Sequence, residues 1–264
     1  MTKQRLDQRV FELGFAESRE KAKALIMAGQ VYVDGQKQTK PGQTVAEESL
    51  VEYRGEKLRY VSRGGLKLEK AIDVFGIDPT GFDCIDCGAS TGGFTDCLLQ
   101  NGAKHVWAVD VGYGQLAWSL RCDERVTVME RTNARALEPA MFPAFMDLAV
   151  MDMSFISLRL VLPAVFSLLK ETGRVACLVK PQFEAGREKV GKKGVVRDPA
   201  VHREVLENFL QYAAESGFAV LAMDFSPVRG PEGNIEYLAY LAKQGESAVI
   251  DCAALVEKSH EVLG

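Results

Sequence analysis

A chain of 264 residues, 47% hydrophobic and 26% charged, can bury one large or two modest cores and has the composition of a soluble globular protein. Its formal net charge of −4 excludes a polycation, so contact with nucleic acid must rest on local basic patches. The least polar long stretch, residues 140–169, is broken by Asp147, Asp152 and Arg159, and residues 1–7 lack an apolar signal core, so no membrane partner and a cytoplasmic location are expected.

Charge is uneven along the chain. Residues 1–60 hold 11 Lys and Arg against 9 Asp and Glu, whereas the remainder holds 21 against 27. In the first segment Leu6, Val10 and Leu13 recur at helical spacing up to Gly14. Ser18 can cap a second helix whose apolar stripe is Ala22, Leu25 and Ile26. Residues 31–33 alternate into the hairpin signal Asp34-Gly35, and residues 49–53 read as another short strand. The runs Arg5-Leu6-Asp7, Ala16-Glu17-Ser18-Arg19, Gly29 to Gly35 and Pro41-Gly42 resemble the S4 RNA-binding domain, a small α+β module, here over residues 1–60. On this pattern Lys3, Arg5, Arg9, Arg19 and Lys23 line one face and meet phosphates of structured RNA.

A short, charged, glycine-ended joint follows, with residues 61–65 as interdomain linker and Arg63 counted with the RNA-facing cations. Residues 66–72 read as a helix. The segment from Phe82 to Asp96 then reads strand, glycine-rich turn, helix. Gly88, Gly92 and Gly93 allow a sharp turn and close approach of a ligand. The next strand, residues 105–109, delivers Asp110, 22 residues after Gly88, where a carboxylate accepts hydrogen bonds from ribose hydroxyls. Ser90 stands where a dinucleotide fingerprint needs its second glycine. This argues against a pyrophosphate cofactor and for S-adenosylmethionine. The expected cofactor contacts are Asp86, Gly88, Ser90, Gly92, Gly93, Phe94, Thr95, Asp110, Asp152 and, reading the adenine edge, Asn133. Cys84 and Cys87 form C-x-x-C, but strand residues three apart face opposite sides, so both read as core and no metal is expected.

Residues 126–130 and 147–152 are a third and fourth strand, the latter ending on Asp152. A helix over 160–170 leads into a fifth strand ending on Lys180, and residues 200–216 are helical. Residues 218–226 and 236–241 read as an antiparallel pair at the sheet edge. Strands alternating with helices imply a mostly parallel sheet that collects ligands at its carboxyl edge. Four residues fall at that edge: Lys67, Asp152, Lys180 and Glu236. Two lysines alternating with two acids satisfy one another, and like-charge proximity favours a neutral amine on one lysine. After Lys180, the glycine-interleaved cations Arg187, Lys189, Lys192 and Lys193 can neither bury a core nor form a helix, and are expected as a flexible lid over RNA.

Across nearly all 264 residues the chain resembles the TlyA (hemolysin A) ribosomal RNA 2′-O-methyltransferases, an S4 domain fused to an FtsJ-type domain. The carrying stretches are Val61 to Leu68, Gly88 to Thr95, Asp110 to Leu116, Arg131 to Arg135, Ser154 to Ser157, Val179 to Glu184 and Gly233 to Tyr237. The resemblance implies a Rossmann-like class I methyltransferase domain over 66–264 with a mostly parallel seven-stranded α/β sheet. It further implies a Lys67-Asp152-Lys180-Glu236 tetrad with Lys180 as base, ribosomal RNA or subunits as partner, and cytidine as the nucleoside. Which nucleotide and subunit stay open. No Asn/Asp-Pro-Pro-aromatic run follows the fourth strand, which argues against exocyclic-amine methylation, and no Pro-Cys pair supplies a C5-pyrimidine nucleophile. The rival readings are a pseudouridine synthase, a membrane-active haemolysin and a non-catalytic S4 RNA-binding factor.

Overall fold

The computed structural model describes residues 3–16, 18–55, 59–230 and 232–264; Glu17 of the S4 signature and residues 56–58 of the joint lie outside these. The chain divides into two compact units, Met1–Arg59 and Tyr60–Gly264.

The first unit runs β1 (Lys3–Arg5), α1 (Leu6–Glu12), α2 (Arg19–Met27), β2 (Val31–Val33), β3 (Gln36–Gln38), β4 (Thr44–Ala46) and β5 (Val51–Tyr53). Its core is Leu6, Val10, Ala22, Ile26 and Val31, the helical and strand repeats read above. The Ser18 hydroxyl accepts from the Lys21 amide and caps α2. β1 pairs antiparallel with β4, and β2 lies between β3 and β5. Strands β1, β3 and β4 escape the sequence reading because β1 and β3 are polar throughout and three residues of β4 are too few to show an alternation.

Asp7 is the polar hinge of this unit. It is fully buried and accepts from Arg5 Nε and Nη2 and from Arg19 Nη2, all at 3.0 Å. The Arg5 hydrogen bonds, opposed by burial and aided by Arg19, hold its carboxyl down at about 2.

The second unit opens with α3 (Gly64–Phe75), so Gly64 and Gly65 of the expected linker are helix residues. Val61 of that linker donates its amide to Asp96 Oδ2 at 2.8 Å within the same unit. Then follow β6 (Asp83–Cys87), α4 (Gly93–Gln100), β7 (His105–Val109), α5 (Trp118–Arg121), β8 (Val126–Met129), β9 (Met146–Met151), α6 (Leu162–Leu168), β10 (Leu169–Val179), α7 (Pro181–Glu184), α8 (Pro199–Glu215), β11 (Ala219–Phe225), β12 (Tyr237–Ala242) and α9 (Cys252–Leu263). The seven strands are ordered β11-β12-β10-β9-β6-β7-β8. Cys84 and Cys87 pack into the separate cores on the two faces of this sheet, as their spacing requires.

One detail differs from the sequence reading. β10 starts at Leu169, inside the expected helix, and pairs Leu169 with Met146 before a register shift to Arg174–Leu148. Leu168 and Leu169 are both buried, so the chain turns from helix to strand without a polar break to mark it. The last two strands are the antiparallel pair at the sheet edge that the sequence suggests. β12 inserts between β10 and β11 and is antiparallel to both, so it alone runs against the sheet and β11 forms the edge. The inversion brings the start of β12 to the carboxyl edge of the parallel strands, with Tyr237 opposite Val179.

Because Asp7 is depressed, its contribution to stability is full above about pH 4 and is lost as pH falls through about 2. Replacing Asp7 by Asn should therefore destabilise the S4 unit by roughly 1–3 kcal/mol at neutral pH, with the gap closing in acid. Urea melts at several pH values check this; a pH-independent gap would contradict it.

Candidate active site

The carboxyl edge of the sheet is built by strand ends that grip one another. Gly88 and Ala89 donate their amides to the Val109 carbonyl, and Asp152 donates its amide to Cys87. The order reverses between β6 and β9, the switch point where open α/β sheets bind ligands. Gly88 turns the chain there at φ +84°, and a Cβ on it would lie 2.9 Å from the Asp152 carbonyl oxygen. No other residue fits.

A pocket of about 320 Å³ on one side is lined by Ser90, Asp110, Gly112, Gln115, Thr132, Ala134, Met153 and Phe155. Asp110 accepts from the Ser90 amide at 2.8 Å and from the Gly112 amide at 2.7 Å, which holds its carboxylate at the pocket wall. Ser90 adopts φ +49°, and its amide is already spent on Asp110 rather than free for a phosphate. A second pocket of about 320 Å³ shares Gly88, Ser90, Asp152 and Ser154 with the first and adds Arg63, Lys67, Gly93, Phe94, Lys180 and Arg229.

The second pocket is lined by three of the four charged residues singled out in the sequence, Lys67, Asp152 and Lys180, and the fourth, Glu236, is bonded to Lys67. Lys67 lies on the buried face of α3, which Lys70 ties to β11 by donating to the Phe225 carbonyl and pairing with Asp224. Lys67 Nζ donates to Glu236 Oε2 at 2.6 Å and lies 3.6 Å from Asp152 Oδ2. Lys180 Nζ pairs with Asp152 Oδ1 at 2.5 Å and donates to Ser154 Oγ at 3.1 Å. Glu236 is 1% exposed and also accepts from Gln182 Nε2 at 3.1 Å. Burial opposes the charged form of Lys67, but Asp152 and Glu236 outweigh it and raise the ammonium above its ordinary value. Lys67 is a fixed positive charge.

Other expected cofactor contacts stand elsewhere. Asp86 and Thr95 are fully buried beneath the turn, and Thr95 Oγ1 donates to Asp86 Oδ2 at 2.7 Å. Burial, partly offset by that bond and reinforced by Asp152, pushes the Asp86 carboxyl up to about 7. Gly92, at φ +96°, is needed because a Cβ would meet Leu120 Cδ1 at 2.2 Å, a packing reason rather than a ligand one. Asn133 Oδ1 accepts from the Arg135 amide and caps a short 3₁₀ turn, while its neighbours Thr132 and Ala134 line the pocket.

Residues 60–243 match the family described as FtsJ-like methyltransferase, and residues 4–51 match the S4 domain. The chain belongs to the FtsJ-like methyltransferase family. It is 51% identical over 268 residues to the YqxC protein of Bacillus subtilis, covering 99% of this chain and 95% of that one. It is 45% identical over 246 residues to the 16S/23S rRNA (cytidine-2′-O)-methyltransferase TlyA of Mycobacterium tuberculosis, covering 93% and 92%. A solved structure from Streptococcus thermophilus, described as a hemolysin, superposes with a TM-score of 0.78 at 47% identity over 99% of this chain and 97% of that one. This chain is thus an S4-bearing methyltransferase of the TlyA group. No helix among the described residues is long and apolar enough to cross a membrane.

The cations expected at RNA divide into tied and free. In the S4 unit Arg5 and Arg19 are fixed by Asp7, Lys23 pairs with Glu20, Arg9 donates to the Glu47 carbonyl, and Lys3 is exposed. In this FtsJ-like domain Arg63 lines the tetrad pocket, and Arg187 lines a separate pocket with Arg135, Phe155 and Phe183. The expected lid is not featureless: Arg187–Lys189 is a 3₁₀ turn, Lys189 pairs with Glu204 at 2.5 Å, and Gly191 and Gly194 are turn-bonded. Lys192 and Lys193 are exposed. Three residues of the site went unassigned in the sequence. Ser154 touches Lys180 and Gln182 touches Glu236, both detectable only as polar residues flanking strand ends. Buried Asn234 donates to the Gly194 carbonyl and accepts from the Val196 amide, binding the loop before β12 to the basic loop after Lys180.

A buried carboxyl raised to about 7 makes folding less favourable as pH climbs from its unfolded value through 7. Asp86→Asn, which keeps an acceptor for Thr95, should gain on wild type by roughly 1–3 kcal/mol between about pH 5 and pH 8. Thermal melts at both pH values test it; a constant difference would mean Asp86 stays ionised throughout.

Proposed function

We propose that the protein transfers a methyl group from S-adenosylmethionine to the 2′-hydroxyl of a cytidine ribose in ribosomal RNA. The observation that carries this reading is the tetrad: a charged Lys67 and a second buried lysine, Lys180, bridged by Asp152 beside a pocket walled by Asp110. The first pocket fits the nucleoside end of the cofactor, with Asp110 as acceptor for ribose hydroxyls and Met153 and Phe155 as apolar surface for the base. When bound, the cofactor supplies an electrophilic methyl group. The residues that would hold it are Gly88, Ser90, Asp110 and Asp152, which meet where the two pockets join or line the first.

A ribose hydroxyl is a poor nucleophile until its proton is removed. Lys180 is the base that takes that proton. Asp152 and Ser154 fix its amine, and Asp152 stabilises the ammonium that forms. Lys67, held by Glu236, keeps its positive charge next to the oxygen as negative charge develops there. The S4 unit and the TlyA relative's named substrate support ribosomal RNA as the acceptor.

Replacing Lys180 with Ala should lower methyl transfer to ribosomal subunits by roughly 10²–10⁴-fold, the usual contribution of a positioned base, with cofactor affinity retained. Replacing Asp110 with Ala should instead weaken cofactor binding by about 1–3 kcal/mol. Label transfer from methyl-tritiated cofactor and calorimetry separate the two. Full activity in the Lys180 variant would remove the proposed base, and unchanged affinity in the Asp110 variant would remove the proposed ribose acceptor.

A further inference from the structure

The tetrad pocket carries two arginines that the chemistry above does not use. Arg63 precedes α3, and Arg229 lies on the loop between β11 and β12; both line the pocket that holds Lys67, Asp152 and Lys180. Both are exposed, and neither makes an ion pair among the described residues. Lys67, Lys70, Lys104, Arg121, Arg125, Lys170 and Lys243 each pair with a carboxylate. Residues 61–264 are net acidic, with 21 Lys and Arg against 27 Asp and Glu.

Arg229 stands on a rigid support. Ser226 Oγ donates to the Val228 carbonyl at 2.6 Å, Gly230 donates its amide to the Asn234 carbonyl at 2.9 Å, and Asn234 is itself held by the basic loop. The backbone at Gly230 lies directly on Glu236: a Cβ there would be 2.6 Å from Oε1. Arg229 is thereby fixed to the tetrad's own wall. Arg229 also lines a neighbouring pocket with Arg197, Glu232 and His260, so it stands between that pocket and the tetrad's.

The chemistry of the acceptor says what these cations meet. The 2′-hydroxyl sits on the carbon next to the one bearing O3′, so an RNA that brings its 2′-oxygen to Lys180 brings its 3′-phosphate into the same pocket. Once Lys180 is neutral, as a base must be, the tetrad holds one positive charge against two negative ones. That surface repels a phosphodiester unless further positive charge faces it.

We infer that Arg229, with Arg63, forms the subsite for the phosphate on the 3′ side of the methylated ribose. The inference rests on the reading of the pocket as a ribose 2′-O-methylation site. Arginine suits the role because its planar fork matches two phosphate oxygens and its charge is permanent.

The test compares wild type, Arg229→Ala and Arg229→Lys for binding to ribosomal subunits across a range of KCl concentrations, with cofactor affinity measured alongside. Loss of one phosphate contact should flatten the log–log salt slope by about 0.7–0.9 in R229A, and R229K should restore it. Cofactor affinity should not change. A synthetic RNA with a neutral methylphosphonate 3′ to the methylated ribose should bind wild type roughly tenfold more weakly than native RNA, while R229A should not distinguish the two. An unchanged slope in R229A, or equal binding of both RNAs by wild type, overturns the subsite. If wild type methylates no ribose, the underlying function fails instead, independently of these binding results.

Discussion

Four charges gathered at one sheet edge, three of them buried and Asp152 half-buried, govern this molecule. Leaving one of them without its partner would cost about 3–5 kcal/mol, so Lys67, Asp152, Lys180 and Glu236 must alternate in sign and must all arrive. Their arrival dictates topology. Asp152 and Lys180 ride the ends of parallel strands, but Glu236 can reach the same edge only at the start of a strand running the other way, and β12 inserted beside β10 supplies it. Lys67 comes from a helix outside the sheet, which Lys70 anchors to β11. The pairing that stabilises these charges is also what keeps Lys67 an ammonium and positions Lys180 beside Asp152 and Ser154.

Around that cluster, two loops act as a coupled pair. Asn234 bonds the loop before β12 to the segment carrying Arg187 to Lys193, so the walls on both sides of Lys180 share one buried amide. The S4 unit follows the same logic on a smaller scale, with a buried carboxylate fixing two half-exposed arginines. In the S4 unit an acid inside thus organises cations at the surface, which lets a chain with net charge −4 present positive charge locally.

Much of this was legible in the residues because strand ends announce themselves. An apolar run that stops on Asp110, Asp152 or Lys180 gives both the strand and the direction of its functional tip. What escaped reading involves contacts between distant segments. Nothing local distinguishes Gly88, which turns the chain against the Asp152 carbonyl, from Gly92, which makes room for Leu120. Asp86 looks like a ligand acid but is sealed beneath the turn with Thr95. Asn133, the expected reader of adenine, also caps a 3₁₀ turn beside the pocket, a role its strand-end position does not announce. The α9 helix, capped by Asp251 with Cys252, Val256 and Ser259 at helical spacing, went unassigned, whereas the insertion of β12 depends on pairings more than fifty residues apart, as between Arg174 and Ala242, that no local period encodes.

The most direct test of the tetrad as a ribose-methylating device is the chemical identity of the product. Ribosomal subunits treated with the purified protein and S-adenosylmethionine would be digested to nucleosides and resolved by mass spectrometry. The proposed function predicts 2′-O-methylcytidine as the new nucleoside, absent with Lys180→Ala. A base-methylated nucleoside, or the same 2′-O-methyl product formed at full rate by that variant, would contradict it.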